Sequence, residues 1–531
     1  MDRRVRRAGK DLGYDTAAGT AAEERQLATI GTSVRFRHPL VRSAVYYGAS
    51  LSERQRVHAA LASATSLTRD PERRAWHRGA ATSGSDESVA DELQCAGDRA
   101  GRRGAWSAAA TFFARAAALS VEETARAERF LSGASASCTA GAAGRAQALL
   151  DEAAAFAPDD RHMRGLVQRV QGRIYHLLRQ PAEATSALLA AATDVAALDI
   201  RLARDILVEA IVQAQINGQL APGGATRVDV ARIAEALPLP QGHPCTPGDL
   251  VLDADAVLQL KGLATAAPLL RQAIDAVRRD TSGSSEMFQW LGAVCADATI
   301  LADDVGLNEL AWQMESRARN EGAVIPLALA LSHAGGSELV AGNLMVAERC
   351  FIELAAIVEA RGFSWTLGSL LVSAWRGQAW QTYALMDVVA AEAARQGQGY
   401  QLVFADYARC VLELGLGHYH EAYATLNART EDTSQLKFAL ADLVEAAYRS
   451  GEHRAAECQL ERLAELSAIS PSSRNLGFIA RARAIIAGDA PKAEALLPAG
   501  DCPARRDTWT GAPRPESAGI WRVVTPRRTS P

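Results

Sequence analysis

Lysine is nearly missing from this chain. Of its 57 basic residues only Lys10, Lys261, Lys437 and Lys492 are lysines, a bias of GC-rich coding rather than an adaptation to phosphate. Aromatic residues are also scarce, at 6%. No apolar run approaches the roughly 18 residues that span a bilayer, which argues against a membrane helix. The arginines at the start lead into GYDTAAGTAAEERQ (13–26), which has no apolar core of a signal peptide. The eight cysteines are scattered from Cys95 to Cys502 without a CxxC pair, so a disulfide scaffold is not expected; reduced thiols in a cytoplasmic protein are. A phosphate loop of the form GxxxxGK[ST] is missing too. The one Gly-Lys step, Gly9-Lys10, is followed by Asp11. Without that loop there is no nest of backbone amides for phosphates and no lysine for their outer oxygens.

Charge is unevenly spread. Residues 1–10 carry a balance of +4 and residues 501–531 a balance of +3, so against a total of −4 the body between them carries −11. An acidic body repels phosphate backbones, which argues against extended nucleic-acid binding.

What the chain does have is alanine, leucine and a recurring pattern. From about residue 70, helical runs alternate with short breaks holding Gly, Pro, Asp or Ser. DESVADELQCAGDRAGRR is followed by GAWSAAATFFARAAALS, RHMRGLVQRVQGRIYHLLR by QPAEATSALLAAATDV, and YQLVFADYARCVLELGLG by HYHEAYATLNART. The unit is a pair of antiparallel helices of roughly 35–42 residues, recurring about ten times; one such hairpin cannot bury its apolar stripe until the next stacks on it. The expected fold is therefore all-α, a tetratricopeptide-like α-solenoid over 70–499. Residues 1–20 are expected to be a disordered tail. The Gly/Pro-rich stretch 217–249 reads as a hinge or long loop. Residues 500–531 are aperiodic and Pro-rich, and read as a second disordered tail that adds nothing to the fold. Ahead of the repeats, VRF (34–36) is a short extended stretch, Pro39 starts a helix and Ser52 is expected to cap the next; a strand beside small helices over 21–69 reads as the end of a winged-helix unit.

The stretch VRFRHPLVRSAVYYGASLSERQRVHAALASAT (34–65) resembles the end of the ATPase module of large ATP-binding LuxR-type, or MalT-like, transcriptional regulators. The runs at 70–104 and 307–343 are similar to that family's helical repeats. The resemblance implies a winged-helix lid over 21–69, with His38 as a residue that contacts bound nucleotide, and a sensing solenoid behind it. It also implies a Walker ATPase core, with ATP as its ligand, and a C-terminal helix-turn-helix. Neither pattern is found here, so the expectation is a fragment truncated at both ends, with no cofactor of its own, no enzyme activity, and DNA reached only through a missing domain. Its partner would be a protein or small-molecule effector in the solenoid groove. A rival expectation is direct DNA binding by the winged-helix remnant.

Other candidate residues have plainer readings. His418 and His420 suggest a metal, but ligands two apart at a helix start diverge in direction, and Tyr419 between them reads as a packing residue. Asp159-Asp160 and Asp303-Asp304 sit where turns favour Asp. Trp76, Trp106, Trp290, Trp312, Trp365, Trp375 and Trp380 fall in helical runs and read as core or groove-rim residues. No Ser, His and Asp set has a spacing that points to a hydrolase.

Overall fold

A computed structural model describes residues 3–14, 17–30, 34–156, 160–280, 287–428 and 439–487. Helices α1 (Arg3–Asp11) and α2 (Ala17–Glu24) precede an antiparallel hairpin of β1 (Ala28–Ile30) and β2 (Val34–Phe36), with Thr29 opposite Arg35. Helices α3 (Pro39–Gly48), α4 (Leu51–Ala64) and α5 (Pro71–Ala81) follow. Then come α6 (Glu87–Arg102) with α7 (Trp106–Leu119), α8 (Glu123–Thr139) with α9 (Ala143–Phe156), and α10 (Arg161–Leu177) with α11 (Pro181–Val195). The pairs continue as α12 (Ile200–Asn217) with α13 (Arg227–Glu235), α14 (Pro247–Lys261) with α15 (Leu263–Arg279), and α16 (Met287–Leu301) with α17 (Asp304–Asn320). The last are α18 (Val324–Val340) with α19 (Leu344–Glu359), α20 (Leu367–Trp375) with α21 (Ala379–Gln396), α22 (Gly399–Leu416) with α23 (Tyr419–Asn427), and α24 (Leu440–Arg449) with α25 (His453–Ile469), before α26 (Ser473–Ala487). The fold is a tandem helical repeat, all-α but for one small sheet among the described residues.

The chain divides into two compact units. The first comprises Met1–Leu178, Ala190–Leu198 and Arg317–Ile325; the second comprises Arg179–Leu189, Asp199–Ser316 and the chain from Pro326 onward. In the first unit, Leu93, Phe113, Leu119, Leu150 and Ile174 are buried among alanines. In the second, a continuous core runs from Ala311 through Phe351, Leu370 and Leu412 to Leu463 and Ala482.

Helix pairs close through small residues. A Cβ on Gly97 would lie 2.7 Å from the Phe113 ring, one on Gly133 3.2 Å from Leu149, and one on Gly335 2.4 Å from the Phe351 ring. The partner stands at the same sequence offset each time, so one contact recurs in three pairs. The turn inside a pair also recurs. Gly104, Gly141, Gly342, Gly377, Gly417 and Gly451 adopt φ between 69° and 91° there. Two turns break the pattern with Arg179 (φ 59°) and Ala302 (φ 53°). A side chain in this left-handed region costs about 1–2 kcal/mol.

Several expectations are corrected. Residues 3–11 are helical rather than disordered: α1 buries Ala8 and packs on α4, and Arg4 Nη1 donates to Asp70 Oδ2 at 2.5 Å. Arginine and alanine are strong helix formers, and one small apolar contact suffices to dock so short a helix. The stretch 217–249 is no boundary. It lies within the second unit, and capping boxes at Thr226/Asp229 and Thr246/Asp249 start α13 and α14 inside it. Ser50, not Ser52, caps α4, because Glu53 must sit three residues on to reach back to the cap amide, as it does at 2.8 Å. The expected tail at 500–531 lies outside the described residues.

The second unit also holds contacts that stacking neighbours alone would not give. Helix α22 packs on α12, and α15 on α25. Arg271 Nη2 donates to the Ile469 carbonyl at 2.5 Å, Ser470 Oγ to the Leu301 carbonyl at 2.5 Å, and Arg474 pairs with Asp304 at 2.8 Å.

Gly335→Ala tests the interlock. The gain in helix propensity is about 1 kcal/mol. Yet the Phe351 ring cannot retreat, since its Cβ and Cγ already lie 2.5 Å from where a Cβ on Gly368 would stand. Overpacking of about 1–3 kcal/mol therefore prevails. Urea unfolding should show a net loss of about 1–2 kcal/mol, largely restored by adding Phe351→Leu; a stabilised single variant would disprove the interlock.

Candidate functional site

The first candidate region is the hairpin and the two helices after it. Pro39 fits the first turn of α3, where its missing N–H is not needed. His38 is the N-cap: its Nδ1 accepts from the Leu40 N–H at 3.1 Å, which leaves the other ring nitrogen outside the cap. Helix α3 has no buried residue at all. Leu40 is 71% exposed, Val45 56% and Tyr47 75%, so half a helix of large apolar side chains faces solvent. The Arg54 guanidinium lies 5.3 Å from the Tyr46 ring centroid and 5.9 Å from that of Tyr47.

A polar chain leads from α3 into the repeats. Tyr46 Oη lies 3.2 Å from His58 Nε2 on α4, and His58 Nδ1 lies 2.9 Å from His77 Nδ1 on α5. Either neutral tautomer arrangement puts one proton between the two rings. Burial, then the charge of His58 and of Arg73 and Arg4, hold His77 down at about 4. Burial and Arg54 lower His58 as well.

The second region is a seam of buried charge in α12, α13, α14 and α16. Arg204 Nε donates to Asp249 Oδ1 at 2.7 Å, its Nη2 to Asp253 Oδ1 at 2.7 Å, and its Nη1 to the Leu237 carbonyl at 2.8 Å. Nearby on α13, Arg227 Nη2 pairs with Asp255 Oδ1 and stands 3.8 Å from Asp297 Oδ1. Asp255 Oδ2 and both Asp297 oxygens have no hydrogen-bond partner. Burial, then the Asp255 charge, push the Asp297 carboxyl well above its usual range, against the pull of Arg227. One guanidinium faces two carboxyls, and the Asp297 carboxyl holds its proton more tightly than usual. With exposures of 0% and 1%, Asp255 and Asp297 do not present their carboxyls to a substrate. Sequence reasoning missed this pair; the available signal was an aspartate inside each of two apolar runs, VLDADAVLQL and LGAVCADATI.

The remaining sequence candidates stand apart. His418 Nδ1 pairs with Glu413 Oε2 at 2.9 Å, while His420 is exposed. Among the described residues, no three His, Cys, Asp or Glu side chains are grouped to hold a metal. Asp160 accepts from the His162 N–H at 2.8 Å and Asp303 from the Gly306 N–H at 2.9 Å, both capping helices. Trp290 and Trp365 are core residues, although Trp365 precedes α20 rather than lying in it. Trp106 donates to the Glu321 carbonyl at 2.9 Å and Trp312 to Glu338 Oε1 at 3.2 Å. Trp380 alone of the seven is 85% exposed. No helix among the described residues is long and apolar enough to cross a membrane.

No family model matches the chain, and no curated protein does. Among solved structures it is similar to a Rap protein complexed with competence and sporulation factor. That likeness has 17% identity and a TM-score of 0.42, over 64% of this chain and 98% of that one. It is also similar to a circular tandem repeat protein of novel repeat topology, at 14% identity and a TM-score of 0.14, over 86% of this chain and 98% of that one. Both are helical-repeat proteins, and neither likeness assigns this chain a ligand.

Two outcomes follow from these charges. Asp297 is raised, so its contribution to stability is present at low pH and lost as pH rises through its folded value. Asp297→Asn should therefore lessen the loss of stability as pH rises above the ordinary carboxylate range, without unfolding the protein. Arg227→Met, which leaves Asp255 buried without its cation, should cost about 3–5 kcal/mol in denaturant melts. Equal losses for the two would refute the shared-cation arrangement. His77 is lowered, so its contribution is full above the ordinary value of 6.5 and is lost as pH falls toward about 4. His77→Asn should reduce the drop in melting temperature across that window; an unchanged acid limb would show that the ring pair is not strained by protonation.

Proposed function

We propose that this chain is the signal-sensing helical-repeat region of an ATP-binding LuxR-type, MalT-like transcriptional regulator. It acts as a non-catalytic scaffold that takes a protein or small-molecule effector along its repeats. It reports that state to ATPase and DNA-binding parts encoded elsewhere. The observation that carries the reading is the bare apolar face of α3, in a stretch (34–65) that resembles the end of that family's ATPase module. A helix of ordinary surface type buries one stripe and shows water the other. A helix that shows water Leu40, Val45 and Tyr47 suits an element made to sit inside a larger module. Its continuation through α4 and α5 into the repeats suits a lid joined to a sensor, with His38 at the strand-to-helix corner as the residue to contact nucleotide.

The alternative, direct DNA binding by the hairpin and α3, is favoured by local charge. Residues 21–69 hold Arg25, Arg35, Arg37, Arg42, Arg54, Arg56 and Arg69 against Glu23, Glu24 and Glu53.

Two measurements decide. DNA flanking the coding region should encode a GxxxxGK[ST] loop upstream and a helix-turn-helix downstream; unrelated flanking sequence would sink the regulator reading. The isolated chain should show no saturable ATP binding by calorimetry at millimolar nucleotide and no gel shift of duplex DNA at physiological salt. A micromolar ATP affinity lost in His38→Ala would mean the lid alone makes a site. A salt-sensitive shift lost in Arg35→Ala and Arg37→Ala would establish the DNA reading instead.

A further inference from the structure

Two neighbouring second helices of the second unit, α19 and α21, show water an unusual surface. Of the large apolar side chains among the described residues, Trp380 on α21 is the most exposed, at 85%, and Met345 on α19 follows, at 78%. Ile352 on α19 is 63% exposed, and Tyr383 and Val388 on α21 are exposed as well. The second helices on either side differ. On α17 the exposed large apolar residue is Val305 alone, beside Glu309 and Ser316, and α23 shows His420 and Glu421. An apolar patch with a polar border marks an interaction surface.

The exposed rows have a regular spacing. On α19, Met345, Arg349, Ile352 and Ala356 are exposed; on α21, Trp380, Ala384, Asp387 and Ala391 are. Both rows run in steps of four, three and four residues, the steps of the seam positions in a coiled coil. Such a seam faces another helix, yet here the sides packed on the unit are different ones, with Ala347, Phe351 and Leu354 on α19 and Thr382, Val389 and Ala393 on α21. The two rows are tied together. Glu348 lies beside Met345 and Ile352 at helical spacing, and it takes two bonds, at 2.8 and 2.7 Å, from Arg376, four residues before Trp380. Each row carries one charge, Arg349 in the first and Asp387 in the second, and neither makes an ion pair or hydrogen bond among the described residues.

A surface that holds one unpaired charge of each sign is complementary to itself when a two-fold axis turns it over. Setting Arg349 opposite the Asp387 of a second, antiparallel copy fixes the register. Seven residues on from Arg349 is Ala356, and seven back from Asp387 is Trp380. Three on is Ile352, and three back is Ala384; four back is Met345, and four on is Ala391. Every large apolar side chain of one row therefore meets an alanine of the other, the large-against-small alternation that lets helices close tightly. We propose that α19 and α21 are a self-association face, on which a second copy of this chain docks about a two-fold axis with α19 of each copy antiparallel to α21 of the other. Met345, Ile352, Trp380, Tyr383 and Val388 present roughly 700 Å² per copy, so the pair covers about 1,400 Å², the size of a specific protein–protein interface. Trp380 is the anchor, and the Arg349–Asp387 pair, made twice, sets partner and register. The inference goes beyond the regulator reading above and does not depend on it.

Sedimentation equilibrium on the full chain should show a reversible passage from 56.4 kDa to twice that mass as concentration rises over about 1–100 μM. Trp380→Ser, at an exposed position, should keep the circular dichroism and melting temperature of the parent while weakening the dimer about tenfold or more. Arg349→Asp and Asp387→Arg should each weaken it about tenfold, because like charges then stand opposite one another. The double variant should recover the dimer, and so should an equimolar mixture of the two single variants. Recovery in the mixture requires each α19 to face the α21 of the other copy, which unspecific apolar association does not produce. Should Trp380→Ser lose its fold, the charge variants are read by the same criterion. Tyr47→Ser on the bare face of α3 should leave the dimer unchanged. A chain that stays monomeric to about 100 μM, a dimer indifferent to Trp380→Ser, a dimer lost in Tyr47→Ser, or a mixture that fails to recover would each overturn the assignment.

Discussion

How closely two paired helices can approach sets what everything else in this molecule can do. Leucine-rich helices hold their axes 8–10 Å apart, and a short hairpin at that distance buries too little to stand. Here glycine and alanine line the contact, so a ring such as Phe113 or Phe351 sits directly on the backbone of the neighbouring helix. Dispersion is gained over the whole ring face, and the side chain has no other rotamer to visit. The rest of the core can then be built from alanine, which loses no side-chain entropy on folding. Few large aromatics are needed at these contacts, because rings such as Phe113 and Phe351 are enclosed.

Such a core leaves little room for polar groups, and those it admits are handled in two ways. Arg129 is nearly buried and is fully engaged, with Glu87, Asp91, Gln94 and Ser120 all within 2.8 Å. Arg481 ties the last described helix to Asp442 and Glu445 in the same manner. These networks fix register more than they add stability, since desolvation offsets much of the attraction. Asp297 belongs to the second kind: it is buried beside Asp255 with no hydrogen-bond partner on either oxygen, and its proton is held more tightly than usual.

Much of this was readable in advance because the signals were local. The breaks between the quoted helical runs at Gly104 and Gly417 are turns of the structure, each with glycine in the left-handed region. Pro39 marked a helix start, whereas the expected cap at Ser52 was two residues late, because the S-x-x-E run that makes the capping box begins at Ser50. Harder to read were features that depend on contacts distant in sequence. The helix Arg3–Asp11 is held by its packing on α4, and nothing near Ala28 announces a strand until Val34–Phe36 lies beside it. The candidate sites divide the same way. His38 was visible as the corner residue of a motif, whereas Asp255 and Asp297 meet at Arg227 only after the repeats have packed.

The bonds that join Leu301 to Ser470, Asp304 to Arg474 and Arg271 to Ile469 give the second unit a property that simple repeat arrays lack. An array in which each hairpin touches only its neighbours unravels from its ends in steps, each with its own free energy. Cross-links between helices so far apart in sequence raise the contact order, so loop-closure entropy must be met before those contacts form. The second unit should consequently fold slowly and lose its structure in a single cooperative event. Disturbance at one turn then reaches the whole block rather than the hairpin that carries it.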